Sequence, residues 1–273
     1  MGLKIVFTEK PNFNFFEKND EIGKVQEILK ELGYDIGASG VDKIFGNDTK
    51  AAMNEFIADG SLKTNGTIGP VTLFALSDKS KRNTNGYVPL SWEKFHSERA
   101  SWSDYTIQII EGLFDSSFLG CQDITRFRSD YTSLSRQQQI NVWAELISAI
   151  CKFESGWKLN SWMEENMGID PVTGRLVRSE GLMQLSYQDQ PNYRTLPCRF
   201  NWTADAGLSD EDLNKTIFNA EINLEFGINI LARQIENRNK IALRDGVYWA
   251  VLKDGGKYSR IIEIANYVEN IKV

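Results

Sequence analysis

The feature that most constrains the fold is the spacing of apolar residues in the C-terminal two-thirds of the chain. They recur at the period of an amphipathic helix, so each segment presents one apolar face. The spacing predicts helices over Gln137–Phe153, Glu221–Ile235 and Ser259–Val268. Residues 166–187 break this pattern with glycine, proline and short β-type runs, and we expect a small β-hairpin there. The expected fold class is mainly α, with one small hairpin.

A smaller helical unit is predicted toward the N-terminus. Apolar residues at helical spacing predict a first helix over Glu21–Leu32. Asn47 or Asp48 is a suitable N-cap for a second helix, and Pro70 fits the first turn of a third. These signals predict a small three-helix domain.

A run of polar and mostly small residues separates the two helical regions and is typical of a linker. We expect the small domain over residues 1–77, the linker over 78–89 and a larger domain over 90–273. A chain of 273 residues has room for two domains of ordinary size.

Composition excludes several classes of partner. The chain has 31 basic and 37 acidic side chains and a net charge of -6, which argues against a nucleic-acid partner. No apolar run approaches the roughly 18 residues that span a bilayer, so we expect no membrane partner. The first residues are too quickly polar for a secretory signal. We therefore expect synthesis in a cytoplasm, with any export by another route.

Histidine and cysteine usage narrows the chemistry further. His96 is the single histidine, whereas zinc hydrolases draw on several and serine or cysteine hydrolases need a histidine base. It lies in a polar segment, and we expect it at the surface. The three cysteines form no Cys-x-x-Cys pair. We expect no metal and no cofactor, which leaves carboxylate chemistry open.

Glu154 is the carboxylate that stands out. It ends a long apolar-faced helix, and Ser155-Gly156 stops that helix. The negative end of the helix dipole and any burial there both raise the pKa of a carboxyl group. A carboxyl group that stays protonated near neutral pH suits general acid catalysis on a glycosidic oxygen.

Three motifs near the N-terminus resemble those of peptidoglycan-binding modules. They are carried by Val25-Gln26 with Leu32-Gly33-Tyr34, by Ile44-Phe45-Gly46-Asn47-Asp48-Thr49, and by Gly66-Thr67-Ile68-Gly69-Pro70. Lys43 departs from the pattern, because the family usually has glycine after the aspartate. The resemblance implies peptidoglycan as a partner, and a spacer of the same fold that binds nothing is the alternative.

The larger domain resembles soluble lytic transglycosylases and goose-type lysozymes. The resemblance rests on Ile147–Gly156, on Gly181-Leu182-Met183-Gln184 and on Asn223-Leu224 with Gly227. It implies a lysozyme-like α+β fold and cleavage of the β-1,4 bond after N-acetylmuramic acid, with Glu154 as the acid. The implied substrate contacts are Ser155, Met183, Gln184, Tyr187 and Tyr248. Trp249 departs from the family's usual asparagine after the cleft tyrosine.

A hydrolase also needs a second carboxylate, whereas a lytic transglycosylase does not, since the sugar's own 6-hydroxyl attacks. We predict a hydrolase in which Glu180 positions the attacking water across a wide carboxyl separation. Glu164, Glu165 and Asp170 are alternatives. Lytic transglycosylase remains open, as do a non-catalytic wall-binding protein and a chitinase.

Two biological settings fit a wall-cleaving protein without a secretory signal. One is a phage endolysin, and the other is an antibacterial effector that acts in a rival's periplasm or wall. The second setting implies an immunity protein as a further partner. We expect a monomer in either case.

Overall fold

The computed structural model describes residue 18, residues 20–59 and residues 88–273. The chain divides into two compact units, Met1–Tyr87 and Val88–Val273. Most of the predicted linker, residues 78–89, lies outside the described residues, and so does the third predicted helix of the small domain.

The N-terminal unit packs two helices, α1 (Asp20–Glu31) and α2 (Asn47–Asp59), around a small apolar core. The buried amide of Gln26 ties the loop between them to both helices. Its NH2 group donates to the Asp42 carboxylate, the Ile44 carbonyl and the Thr49 hydroxyl at 2.8–3.1 Å. Its oxygen accepts from the backbone N–H of Lys43 at 2.8 Å. The core itself consists of Ile22, Val25, Ile28, Leu29, Ile36, Phe45, Ala52, Met53 and Phe56.

Lys43 adopts the backbone conformation that explains why glycine is usual there. Its φ is 65°, in the left-handed region that favours glycine. The Lys43 ammonium pairs with Asp20 at the start of α1, at 2.8 Å. The lysine therefore keeps the turn, in a less favourable backbone conformation, and adds an ion pair at the surface.

The C-terminal unit consists of helices of very different length and one β-hairpin. Its helices are α3 (Ser91–Phe95), α4 (Ala100–Leu113), α5 (Arg136–Ser155), α6 (Asp189–Asn192), α7 (Trp202–Asp205), α8 (Ala220–Arg238) and α9 (Ile261–Glu269). The hairpin strands are β1 (Trp162–Ile169) and β2 (Leu176–Glu180). Short 3-10 turns lie at Ser97–Arg99, Phe118–Gly120, Ile124–Arg126, Tyr131–Ser133, Thr216–Phe218 and Ala250–Leu252.

Helix α5 runs through the centre of this unit and is buried on nearly every side. The Ser135 hydroxyl caps its N-terminus by accepting from the backbone N–H of Gln138. Helices α3, α4 and α9 pack against α5, and α8 packs against α4. Gly156, with φ of 61°, ends the helix in the left-handed conformation. The centre of the fold therefore delivers Glu154 and Ser155 to a helix end.

The hairpin follows α5 and is antiparallel. Its register pairs Trp162 with Glu180 and Ile169 with Leu176, and the register shifts between Glu164 and Ile169. Such an irregularity bends the strand and changes the direction of the side chains after it. Pro171 and Gly174 lie in the turn, whereas Gly168 lies in β1 and Gly181 follows β2; the first strand begins before residues 166–187.

The fold-class prediction is confirmed: the described residues are mainly helical with a small antiparallel hairpin. The three long helices predicted from apolar spacing correspond to α5, α8 and α9, each within a few residues of its predicted bounds. Among the described residues, no helix is both long enough and apolar enough to cross a membrane.

Candidate active site

Glu154 lies in the last turn of α5. Its Oε1 atom is buried and makes no hydrogen bond within the described part of the chain. Burial raises the pKa of Glu154 to about 7, the negative charge of Glu165 adds to the rise, and a hydrogen bond from the Val251 backbone opposes it. A carboxyl group with this pKa is about half protonated at neutral pH, as a general acid requires.

Glu165 is a second carboxylate close enough to influence the first. It lies half-buried on β1, and the Ser179 hydroxyl of β2 donates to its Oε1 at 2.8 Å. Its charge is the second-largest cause of the raised pKa of Glu154. The hairpin therefore brings a carboxylate toward the end of α5, and sequence analysis had named it only as an alternative to Glu180.

Glu180 does not fit the role predicted for it. Its side chain is 4% exposed and its Oε1 lies 3.0 Å from the ammonium of Lys215, which is 2% exposed. Burial raises the pKa of Glu180, and Lys215 opposes the rise. Removal of one partner from a buried ion pair of this kind strongly destabilises the fold, because the other charge is left buried and unpaired. The prediction that Glu180 positions water is wrong, because its carboxylate is enclosed and bound to Lys215.

The Gly-Leu-Met-Gln segment forms a tight turn that a buried amide holds in place. Gly181 has φ of 81°, and a Cβ atom there would lie 2.3 Å from the Asn223 side chain. Asn223 donates to the backbone oxygens of Glu180 and Ile217 at 3.2 and 2.9 Å and accepts from the Met183 N–H at 2.8 Å. The third motif of the sequence therefore holds the second in place.

Two residues predicted to contact substrate are buried instead. Met183 is 0% exposed and packs so closely on Gly227 that a Cβ atom there would lie 2.3 Å from its Sδ. Tyr187 is 1% exposed, and its hydroxyl donates to Asp205 at 2.7 Å. The predicted substrate contacts are wrong for both, because neither side chain reaches the surface.

Ser155 and Gln184 are bound mainly to backbone. The Ser155 hydroxyl donates to the Cys151 carbonyl at 3.0 Å, which is a bond within the helix. The Gln184 amide donates to the carbonyls of Ser161 and Gly181 at 3.1 and 2.9 Å. Gln184 therefore links the turn to the segment before the hairpin, and its predicted contact with substrate stays a prediction.

Tyr248 is half-buried, and burial raises the pKa of its phenol, with the charges of Asp189 and Glu154 adding to the rise. Its hydroxyl donates to the carboxylate of Asp189. Asp189 is 5% exposed, and burial raises its pKa to about 6. Sequence analysis missed Asp189, which carries no local signal because its partner is 59 residues away.

The residue after Tyr248 holds this part of the chain against the Gly-Leu-Met-Gln turn. The Trp249 indole donates to the Met183 carbonyl at 2.7 Å, and the ring is 2% exposed. Two residues later, the Val251 backbone interacts with Glu154. Trp249, the departure from the family pattern, thus fills the core beneath the turn.

No group of three or more metal-ligating side chains occurs among the described residues. His96 is exposed and pairs with Glu98 at 3.0 Å, as expected for a surface histidine.

The N-terminal unit has an open pocket of its own, lined by both polar and apolar residues. It lies beside the loop that follows α1 and the start of α2. Its lining includes Gln26, Ser39, Asp42, Asn47, Asp48 and Thr49.

Residues 18–76 match the family described as a putative peptidoglycan-binding domain. The match confirms the first resemblance: the chain carries a peptidoglycan-binding domain near its N-terminus, with a wall-related function and peptidoglycan as a partner. No curated protein matches the chain.

The fold is similar to solved structures of DslA (Bd0314), a Bdellovibrio protein. The wild-type structure is 25% identical, with a TM-score of 0.54, and the match covers 68% of this chain and 97% of that chain. Two glutamate-to-glutamine mutants of DslA match with 24% and 26% identity, TM-scores of 0.52 and 0.54, and the same coverage. The glutamates replaced in them are eleven residues apart in the DslA chain.

Proposed function

We propose that the protein is a muramidase that cuts peptidoglycan glycan strands at the β-1,4 bond between N-acetylmuramic acid and N-acetylglucosamine. The observation that carries the proposal is the Glu154 carboxyl group, with a pKa of about 7 and one buried oxygen that has no partner in the described part of the chain. A carboxyl group in this state can donate a proton to a glycosidic oxygen.

Glu165 supplies the second carboxylate of the proposed reaction. Glu154 protonates the leaving oxygen as its bond to the anomeric carbon breaks. Water attacks that carbon, and Glu165 takes the proton that the water loses. Glu165 then releases that proton to solvent and Glu154 regains one from solvent, so both carboxyl groups return to their starting state and the products are a reducing end and a free hydroxyl.

Two observations support Glu165 over Glu180 for this role. The negative charge of Glu165 acts directly on Glu154, whereas Glu180 is bound to Lys215. Glu165 also follows Glu154 by eleven residues, the spacing of the two glutamates replaced in the DslA mutants.

The peptidoglycan-binding domain would hold the enzyme on its polymeric substrate. The net charge of -6 gives no general attraction to an anionic wall. Shaped, polar contacts, such as those in the pocket beside α2, would therefore provide the binding. Linking a binding domain to a catalytic domain raises the local substrate concentration.

Mass spectrometry of the fragments released from purified sacculi tests the proposed reaction. We expect muropeptides with reducing ends, because water is the attacking group. If 1,6-anhydro ends dominate, the enzyme is a lytic transglycosylase and Glu165 does not activate water. Release of no glycan fragments at all contradicts both forms of cleavage.

Glu165→Gln tests the second carboxylate, and Glu164→Gln is its matched control. Glu164 is the neighbouring residue, is exposed, and pairs with Arg178 at 3.5 Å. We expect Glu165→Gln to lower the release of reducing ends by about 10²-fold or more, and Glu164→Gln to change it by less than about twofold. Equal activity of the two variants contradicts the assignment of Glu165.

A further inference from the structure

The C-terminal unit contains two buried pairs of tyrosine and aspartate. In one, the Tyr187 hydroxyl donates to Asp205 at 2.7 Å. In the other, the Tyr248 hydroxyl donates to Asp189. Both aspartates are at most 5% exposed, so in each pair the tyrosine hydroxyl satisfies a buried carboxylate that has little contact with water.

The two pairs differ in what lies beside the tyrosine. Tyr187 is fully enclosed and packs on Phe200 and Trp202. Tyr248 is half-buried and lies just before the Ala250–Leu252 turn, which packs against α5, the helix that carries Glu154. Only the Tyr248 pair therefore connects the core to the neighbourhood of the proposed acid.

Asp189 is held in place by contacts other than its hydrogen bond to Tyr248. The same oxygen, Oδ2, accepts from the Ser186 backbone N–H at 2.7 Å, directly after the Gly-Leu-Met-Gln turn. The backbone N–H of Tyr193 donates to the Asp189 carbonyl at 2.8 Å, and the Tyr193 ring packs edge-on against Tyr248. Asp189 is thus a rigid acceptor attached to the turn.

This arrangement decides what the Tyr248 hydroxyl can do. A phenol has one hydrogen to donate, and here Asp189 receives it. The oxygen therefore interacts with any further group only as an acceptor, from an N–H or O–H donor.

We propose that Asp189 is a positioning residue, which fixes Tyr248 beside Glu154 so that the phenol oxygen accepts a hydrogen bond from an N–H or O–H group of the glycan. The inference rests on the proposed function, because it concerns the same cleft. It gives a role to Asp189, which does not contact the glycan itself and acts through Tyr248, which does.

Removal of a single hydroxyl from each pair provides a matched comparison. We expect Tyr248→Phe to lower kcat on soluble glycan fragments about tenfold or more, with KM changed less than about threefold, because orientation in the transition state is lost. Tyr187→Phe removes the equivalent bond away from Glu154, and we expect its kcat to stay within about twofold of wild type. Equal effects of the two variants on kcat overturn the proposal.

A double-mutant cycle tests whether Asp189 acts through Tyr248. Asp189→Ala should reproduce the loss of Tyr248→Phe, and the double variant should be no slower than either single variant. Asp189→Asn, whose amide oxygen can accept both hydrogen bonds, should restore most of kcat. Losses that multiply in the double variant, or full activity of Asp189→Ala, overturn the proposal.

Proton NMR of the full chain supplies a readout that does not depend on activity. A hydroxyl proton held in a buried hydrogen bond exchanges slowly enough to give a resolved resonance, and its loss in Tyr248→Phe assigns it. We expect Asp189→Ala to abolish this resonance and Asp189→Asn to keep it. Persistence in Asp189→Ala overturns the proposal, whereas a wild type that releases no glycan fragments contradicts only the proposed function.

Discussion

Helix α5 carries two glutamates with raised pKa values, the buried Glu145 and the half-buried Glu154, and only Glu154 has the surroundings expected of a catalytic acid. Burial raises the pKa of both Glu145 and Glu154 to about 7. Glu145, in the middle of the helix, is 1% exposed and accepts from the backbone N–H of Ser91 at 2.9 Å and from its hydroxyl. Glu154, at the helix end, has a buried Oε1 without a hydrogen bond in the described part of the chain.

The difference shows that a raised pKa alone does not identify a catalytic carboxyl group. Buried structural carboxylates show the same shift, because desolvation acts on any buried charge. What distinguishes Glu154 is that its buried Oε1 makes no hydrogen bond in the described part of the chain and that the charge of a second carboxylate, Glu165, adds to its raised pKa. Glu145 instead joins α3 to α5 through Ser91.

The largest expected effect separates the two glutamates by activity. Glu154→Gln keeps the shape of the side chain but cannot donate the proton, so the release of glycan fragments should fall about 10²–10⁴-fold. Glu145→Gln should stay within about twofold of wild type, since its amide oxygen can accept from the Ser91 backbone N–H while its NH2 group donates to the Ser91 hydroxyl oxygen. The measurement is the initial rate of fragment release from sacculi, with melting temperatures to show that both variants are folded.

Retention of more than about a tenth of the activity in Glu154→Gln rules out its role as the acid. A comparable loss of activity in Glu145→Gln contradicts the structural role given to Glu145, because Glu145 would then belong to the catalytic machinery.

The second effect concerns stability as a function of pH, and its sign follows from the raised pKa. Glu145 holds its proton more tightly in the folded protein, at a pKa of about 7, than in the unfolded chain, where the ordinary value is 4.5. The contribution of Glu145 to stability is therefore greatest below about pH 4.5 and falls as pH rises toward 7. The loss is on the order of 3 kcal/mol for this shift.

Glu145→Gln should remove this part of the pH dependence. We expect the variant to match wild type near pH 4 and to exceed its free energy of unfolding by about 2–3 kcal/mol at pH 8, because the neutral amide keeps both bonds to Ser91. Urea unfolding at the two pH values measures the difference. A constant difference between variant and wild type across this range contradicts the assigned cause.

Much of the fold was predictable because local patterns determine it. The apolar spacing of Gln137–Phe153 predicted α5, observed as Arg136–Ser155, because a helical repeat of apolar residues is a local signal. The turn at Gly181 was named from its resemblance to the Gly-Leu-Met-Gln motif, and the structure shows why glycine is needed there: a Cβ atom would lie 2.3 Å from the Asn223 side chain.

The candidate site was less predictable, because its pairings join distant parts of the chain. Glu180 is adjacent to the turn, yet its partner Lys215 lies 35 residues away and encloses it. Asp189 and Tyr248 meet across 59 residues. Sequence analysis identified Glu154 from its helix end, but whether the other carboxylates are enclosed or available depends on tertiary contacts that no local pattern encodes.

The smallest expected effect comes from Ser91, which distinguishes the surroundings of Glu145 from those of Glu154. Ser91→Ala removes the hydroxyl donor and keeps the backbone N–H, so we expect a loss of about 1 kcal/mol in the free energy of unfolding at neutral pH. The Ser91 hydrogen bonds lower the pKa of Glu145 against the effect of burial, so losing one should move the pH-dependent fall in stability to higher pH. Urea unfolding between pH 5 and about 9 detects this shift.

Ser117→Ala is the matched control for this last variant. The Ser117 hydroxyl donates to Glu236 at 2.7 Å, and that glutamate is exposed, so its loss should leave the pH dependence of stability unchanged. Neither serine variant should alter the rate of fragment release by more than about twofold, because neither bond reaches Glu154. If Ser91→Ala slows cleavage while the protein stays folded, loss of the Ser91–Glu145 contact affects Glu154 at the end of α5, and the two glutamates are not independent.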